Sequence, residues 1–376
     1  MKQINPGVVA AYPITPQTEI VQMFSQFVAD GEVDSEFVTV ESEHSAMSAT
    51  VGAASGGVRA MTATSANGLA LMFEVVYIAA SMRLPVVMPV VNRALSAPIN
   101  IHCDHSDVMA ARDSGWIQLF GENAQQVYDN LIQAVRIAED SRVRLPVMVN
   151  MDGFIISHAV ENLRPLEDEQ IKDFIGSYEP EYSLLDAESP VTFGPLDLQD
   201  YYFEHKRQQV DGMEHVQEVV REVAAEYQKL SDREYGFLDK YKMEDAEVAV
   251  IGLGSTMGTA RAVIDELRKE GKKVGLISLR LFQPFPRQTV KKAVKNVRVL
   301  GVLDRADTFS LQGGPLFSAV CNTLFESEEK IKVKNYIYGL GGRDITVTDL
   351  KNIFVELLEF REREVTERVT YFGVRE

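Results

Sequence analysis

An alternation constrains this chain more than any other feature. From residue 1 to about residue 162, short apolar runs fall at 8–12, 37–40, 59–63, 86–91, 116–119 and 147–150. Helical patterns lie between them at 18–29, 43–55, 69–83 and 124–139. Strands separated by helices run parallel, because each crossover returns the chain to the same end of the sheet. Strands covered by helices on both faces read as continuous apolar stretches, and "VVMPVV" and "VMVN" read that way. A doubly wound parallel α/β sheet is therefore expected over 1–162. In such sheets ligands bind outside the carboxyl ends of the strands. The residues just after each apolar run are the ones to weigh.

The texture changes after Glu161. "ENLRPLEDEQ" and "SYEPEYSLLDAESPVTFGPLDLQDYYFEHKRQQ" are rich in proline, acids and aromatics without a clear period. We expect an extended linker over 163–245, wrapping over another surface or lying as a plain loop, with a charged helix at 212–241. A second α/β unit is expected over 246–376. "EVAVIGLGS", "KVGLISLRLFQPFP", "VRVLGVLDRA" and "NYIYGLGGRDIT" supply its strands, and 257–270, "GGPLFSAVCNTLF" and 347–361 its helices.

Composition excludes several classes. Asp and Glu outnumber Lys and Arg 55 to 38, a net charge of −17, whereas phosphate backbones and anionic membranes demand basic patches. No nucleic-acid or membrane partner is expected, and no run of apolar residues reaches the length of a transmembrane helix. The two cysteines, Cys103 and Cys321, suffice neither for a four-thiolate iron–sulfur cluster nor for a Cys-rich zinc site. They also give no disulfide framework, and the start shows no basic stretch followed by an apolar core. A reducing, cytoplasmic location is expected.

Three residues stand at strand ends with chemistry to offer. In "VVAAYPITPQTEI" the strand stops at a threonine between two prolines. Thr15 reads as an N-cap with Pro16 at the first helical position. The same geometry also aims it and a helix N-terminus at an anionic ligand. In "VTVESEHSAMSATVGAASGG", Glu43 opens a helix of very small side chains that a backbone or a flat cofactor can approach closely. It reads equally as an acid complementing the helix dipole. Arg93 ends "VVMPVVNR", and its fork suits a carboxylate, although a surface arginine fits the pattern too. "TATSANG" is a small polar loop of the kind that touches ligands.

Three further patterns carry less. His102, Cys103, Asp104, His105 and Asp107 suggest a metal, but neighbours along an extended chain point to opposite faces, so no metal is expected. Gly252, Gly254 and Gly258 follow a strand like a dinucleotide loop. Their spacing is G-x-G-x-x-x-G, however, and no convincing acid ends a second strand about 20 residues on. "DGF" stands without the rest of a kinase signature.

Taken together, "AAYPITPQTEIV", "VESEHSAMSATVGAA", "TATSANGLALM", "VVNRALSAPINIHCDHSDVMAARDSGW" and "RLPVMVNMDGF" resemble, in order and spacing, the α subunit of the 2-oxoacid:ferredoxin oxidoreductases of the pyruvate type. The resemblance implies a thiamine-diphosphate-binding, pyrimidine-type domain, and the second unit resembles that family's transketolase-C-terminal-like domain. It implies CoA-dependent oxidative decarboxylation of pyruvate with reduction of ferredoxin. Glu43 would match the family's glutamate on the aminopyrimidine ring, favouring the imino tautomer. Thr15 and Arg93 would match the residues that hold the substrate. A β subunit would hold the diphosphate and Mg2+, and γ and δ subunits or their equivalents would complete the enzyme. The [4Fe-4S] clusters would sit outside this cysteine-poor chain. Other 2-oxoacids (2-oxoisovalerate, phenylglyoxylate or oxalate) remain as alternative substrates. A non-catalytic scaffold and a nucleotide-dependent dehydrogenase remain as other classes. The family is expected to carry a helix ahead of the first strand, where this chain has residues 1–7.

Overall fold

A computed structural model of the chain describes residues 1–309, 313–325, 327, 330–365 and 367–375. In chain order the first unit holds β1 (Val8–Ala11), α1 (Thr18–Ala29), β2 (Glu36–Thr39), α2 (Glu43–Ser55), β3 (Ala60–Met61), α3 (Ala66–Leu71), α4 (Phe73–Ser81), β4 (Val87–Asn92), α5 (Ser106–Ala110), β5 (Ile117–Phe120), α6 (Ala124–Glu139) and β6 (Val147–Asp152). Then come α7 (Asp168–Ile175), α8 (Tyr202–Ser231) and β7 (Leu238–Tyr241). The rest is β8 (Val248–Gly252), α9 (Thr256–Lys269), β9 (Val274–Leu279), β10 (Leu281–Gln283), α10 (Arg287–Ala293), β11 (Val299–Asp304), α11 (Pro315–Leu324), β12 (Lys332–Ile337), α12 (Val347–Glu359) and β13 (Val369–Tyr371).

Two sheets result. The first has the order β10-β5-β6-β4-β3-β1-β2, and the second β13-β12-β11-β8-β9-β7. The pairs within each are parallel, except that β10 lies antiparallel to β5 and β7 antiparallel to β9. All residues of β4, β6, β8, β9 and β11 are buried, as helices on both faces require. In the first sheet β1 sits between β2 and β3. The crossovers on either side of β1 diverge there, which opens a crevice at the carboxyl edge. Four loops line that edge side by side, those after β2, β1, β3 and β4.

The linker is more structured than its composition implies. The α7 helix has a capping box between Glu167 and Gln170. The α8 helix starts ten residues before the expected 212 and ends at Ser231, and 238–241 is a strand rather than the end of a helix. The apolar stripe of α8, at Val216, Val219, Val220, Val223 and Tyr227, has helical spacing and packs on α6. Its first turns carry no such stripe, so periodicity understates its length. Irregular chain is confined mainly to 176–201, part of which crosses the end of α2: Leu184 N donates to Ser55 O and Ser183 Oγ to Gly56 O. The helix expected at 69–83 is two helices, because Met72, fully buried, leaves the helical range at ψ 6°.

The units are interleaved. β10, contributed from beyond the linker, closes the edge of the first sheet. Among the described residues no helix is long and apolar enough to cross a membrane.

Candidate functional site

The loop after β1 makes a hydrogen-bonded turn, Gln17 N to Ile14 O at 2.7 Å, containing a cis Thr15–Pro16 peptide. Gln17 is buried. Its Nε2 donates to Ala63 O at 3.1 Å, pinning the turn to the chain leaving β3. This turn uses up residues 14–17, so α1 begins at Thr18 with Gln17 at the cap position and no side-chain cap bond. Thr15 is therefore not the N-cap that its sequence suggests. It is an exposed turn residue at the mouth of the crevice.

Glu43 opens α2. The N-cap is Ser42, whose Oγ accepts from Ser45 N at 3.2 Å, so the Glu43 side chain is not needed to cap the helix. It is 7% exposed, and among the described residues no hydrogen bond or ion pair engages its carboxylate. Buried acids normally have partners. On the side of α3, Gly68 presses against it: a Cβ there would lie 2.8 Å from Glu43 Oε1 and 2.5 Å from Thr64 Oγ1. The hydroxyls of Thr62, Thr64 and Ser65, in the loop after β3, are buried and have no hydrogen-bond partner among the described residues. An acceptor carboxylate beside unpaired hydroxyls suits the edge of a flat amine-bearing ring. The outer face of α2 is bare at Gly52, where an added Cβ would meet nothing within 4 Å.

Arg93 follows β4 and is 7% exposed. Its Nη1 donates to Thr15 O at 2.9 Å and its Nε to Asn100 O at 2.8 Å. The structure thus brings Arg93 and Thr15 into contact, through the threonine backbone. The loops are tied from below by Asp107. Its carboxylate accepts from Ala66 N and Arg93 N at 3.0 Å each, Asn92 Nδ2 at 3.2 Å and Val108 N at 2.7 Å. Burial pushes the Asp107 carboxyl up to about 6, against the pull of those backbone donors. Sequence reasoning placed Asp107 among possible metal ligands and missed this role. Its signal was position alone, at the start of a short helix after a strand-end loop.

The other members of that cluster separate. The ring of His102 packs on Phe154, and Asp104 accepts from Ser106 and from Gly341 N. His105 pairs with Asp152, Nε2 to Oδ1 at 2.8 Å. Among the described residues Cys103, His105 and Asp152 are close enough to share an ion, but Asp152 is already engaged. Its Oδ2 accepts from Ser255 N at 3.0 Å, Ser255 Oγ at 2.6 Å and Arg305 Nη1 at 2.9 Å. Burial alone would raise this carboxyl, but the His105 imidazole, the Arg305 guanidinium and Ser255 together hold it well below the usual carboxylate range. Ser255 precedes α9 in the "GLGS" turn. The place where a dinucleotide loop would seat a pyrophosphate is filled by a carboxylate from the end of β6.

Comparison with known proteins gives a consistent result. Residues 1–225 match the family model described as pyruvate flavodoxin/ferredoxin oxidoreductase, thiamine diphosphate-binding, and residues 246–350 match pyruvate:ferredoxin oxidoreductase core domain II. The chain is 56% identical to the pyruvate synthase subunit PorA of Thermotoga maritima, covering 100% of this chain and 95% of that one. It is 42% identical to the ketoisovalerate oxidoreductase subunit VorA of Pyrococcus abyssi, over 92% and 87%. Among solved structures it is similar to the 2-oxoglutarate:ferredoxin oxidoreductase of Magnetococcus marinus, with TM-score 0.70 and 22% identity, over 95% of this chain and 63% of that one. A split-gene transketolase matches at TM-score 0.57 and 14% identity, over 95% and 93%. Both likenesses concern the fold: a thiamine-diphosphate-type sheet joined to a transketolase-like α/β unit.

Proposed function

The chain belongs to the pyruvate flavodoxin/ferredoxin oxidoreductase family, and from that premise we propose that it is the subunit of a pyruvate synthase that covers the aminopyrimidine of thiamine diphosphate. The overall reaction breaks the C1–C2 bond of pyruvate and releases C1 as CO2. The acetyl carbon forms a bond to the sulfur of coenzyme A, whose S–H bond breaks with release of its proton, and two electrons pass to two oxidised ferredoxins. Thiamine diphosphate, when bound, supplies a carbon nucleophile and an electron sink.

One observation carries the assignment. The Glu43 side chain is 7% exposed, its carboxylate has no hydrogen-bond or ion-pair partner among the described residues, and it is set at the divergence of crossovers where ligands of this fold bind. An acid kept there without a partner has its acceptor reserved for a ligand. We assign it to a ring nitrogen of the aminopyrimidine, where it holds a proton. Arg93, fixed on Thr15 O, faces the 2-oxoacid carboxylate as a charge-assisted donor, with Thr15 at the rim of the same pocket. With two cysteines, the chain leaves the iron–sulfur clusters to other subunits. The β subunit takes the diphosphate and Mg2+, and γ and δ subunits or their equivalents complete the assembly that passes electrons to ferredoxin in the cytoplasm.

The test uses the native complex purified through this chain. CoA-dependent reduction of a viologen dye is followed with pyruvate, 2-oxoisovalerate, 2-oxoglutarate, phenylglyoxylate and oxalate. The expected result is a clear preference for pyruvate. The likeness to a ketoisovalerate oxidoreductase subunit makes 2-oxoisovalerate the competing substrate, and a preference for it would move the assignment within the family. No activity across the panel, in a complex containing thiamine diphosphate and iron, would overturn the site.

A further inference from the structure

The loop from Ala94 to His102 connects Arg93 to the second sheet. Its neck is closed by Ala94 N donating to His102 O at 3.0 Å. Ser96 N donates to Asn67 Oδ1 and Leu95 N to Ser106 Oγ, holding the near side to the first unit. The far side reaches outward, with Ile99 80% exposed. Asn100 occupies this far side and does three things at once. Its carbonyl accepts from Arg93 Nε at 2.8 Å. Its Oδ1 accepts from His102 N at 2.6 Å, which shapes the loop. Its Nδ2 donates to Gly341 O at 3.0 Å, in the turn after β12.

Gly341 is clasped from both sides, since its N–H donates to Asp104 Oδ2 at 3.1 Å. Its φ is +61°, and a Cβ there would lie 2.6 Å from Asn100 Nδ2. Only glycine takes this conformation and this contact without displacing Asn100. The turn of the second unit is therefore built to meet the loop that braces the arginine.

We propose that Asn100 is a positioning residue for the 2-oxoacid, through which the Gly341 turn of the second unit sets the plane of the Arg93 guanidinium. The inference rests on the assignment of Arg93 to the substrate carboxylate. An arginine reaches its target on a flexible stem, and bidentate recognition works only when the fork is held in one plane. Two carbonyl acceptors, Thr15 O and Asn100 O, take two of its five N–H donors and fix that plane. Thr15 O belongs to the first unit, whereas Asn100 O is placed by the second. The second sheet thus takes part in substrate binding without contributing an atom to the pocket.

The experiment compares Asn100→Asp, Gly341→Ala and Arg93→Ala in the purified complex, with pyruvate and CoA varied separately. Asn100→Asp keeps the side-chain shape and the acceptor for His102 N, but sets an oxygen against Gly341 O. Gly341→Ala pushes from the other unit. Each is expected to raise the pyruvate KM about tenfold, the range of one lost hydrogen bond. The KM for CoA and kcat should stay within about twofold, and Asn100→Asp should add nothing in an Arg93→Ala background. The inference is overturned if Arg93→Ala raises the pyruvate KM while both other variants leave it unchanged. It is equally overturned if they lower kcat for all substrates with no KM change, which marks a general structural role. If Arg93→Ala itself leaves the KM unchanged, the substrate assignment of the arginine fails instead.

Discussion

Glu43 is 7% exposed and its carboxylate makes no hydrogen bond among the described residues, so its acceptors are left for a ligand at the crevice. Glu43→Gln keeps the volume and removes the acid. Turnover is expected to fall by about a hundredfold or more, the usual weight of a positioned acid–base group, with assembly intact by size-exclusion chromatography. Loss of assembly would make Glu43 structural. Gly68 tests the same point from the neighbouring helix. In Gly68→Ala the new methyl meets Glu43 Oε1 and Thr64 Oγ1 inside van der Waals distance. Overpacking of this kind costs about 1–3 kcal/mol, and displacement of Glu43 should lower kcat by more than the stability loss explains. Glu43 and Arg93 stand out as candidates in the sequence because one opens a helix and the other directly follows a strand at a carboxyl end, whereas Thr15, between β1 and α1, stands out only through its two flanking prolines. Asn100 does not, because its role depends on a loop meeting a turn 241 residues away, and no local pattern records such a pairing.

At the scale of elements, Asp107 joins the start of α3 to the end of β4. Its folded carboxyl titrates near 6 against an ordinary value of 3.8, so between those values the folded state binds more protons than the unfolded one. Stability from this group is therefore full below about pH 4 and lost as pH rises through 6. The difference in melting temperature between the wild type and Asp107→Asn, in which other titrations cancel, should shift against the wild type from pH 4.5 to 7. A pH-independent difference would show that Asp107 does not titrate in this window. Element boundaries were legible where one signal dominated. Helices α1, α2 and α6 fall at the residues expected, since capping residues or amphipathic period mark their ends. The single expected helix over 69–83 is broken at Met72, a one-residue change of ψ that leaves the periodicity of the sequence untouched. β10, only three residues long, lies directly after β9 within "KVGLISLRLFQPFP", and nothing local marks it off or says that it pairs with β5.

Across the whole molecule, the two sheets are joined by β10 and by the carboxylate of Asp152, which reaches from β6 to Ser255 and Arg305. In Asp152→Asn, Arg305 keeps its charge, 3% exposed, without its counterion. Breaking a buried pair in this way costs about 3–5 kcal/mol, so the melting temperature should drop clearly. An unchanged melting temperature would mean that β10 and the loop contacts alone hold the sheets together. The same carboxylate bears on cofactor choice. A helix N-terminus after a glycine turn attracts anions, but this one is occupied by an internal anion, and a chain of net charge −17 offers a free phosphate little attraction elsewhere. On the proposed assignment, Glu43 and the hydroxyls of Thr62, Thr64 and Ser65 would address only the ring end of thiamine diphosphate, and a ring contact alone lacks the charge pairing that makes diphosphate binding tight. The isolated chain is therefore expected to bind neither NAD nor thiamine diphosphate below millimolar concentration by calorimetry, whereas the assembled complex binds the latter tightly with Mg2+. Tight binding of NAD by the chain alone would return the "GLGS" turn to a nucleotide role and sink the assignment. Tight binding of thiamine diphosphate by the chain alone would place the diphosphate site here rather than on a partner.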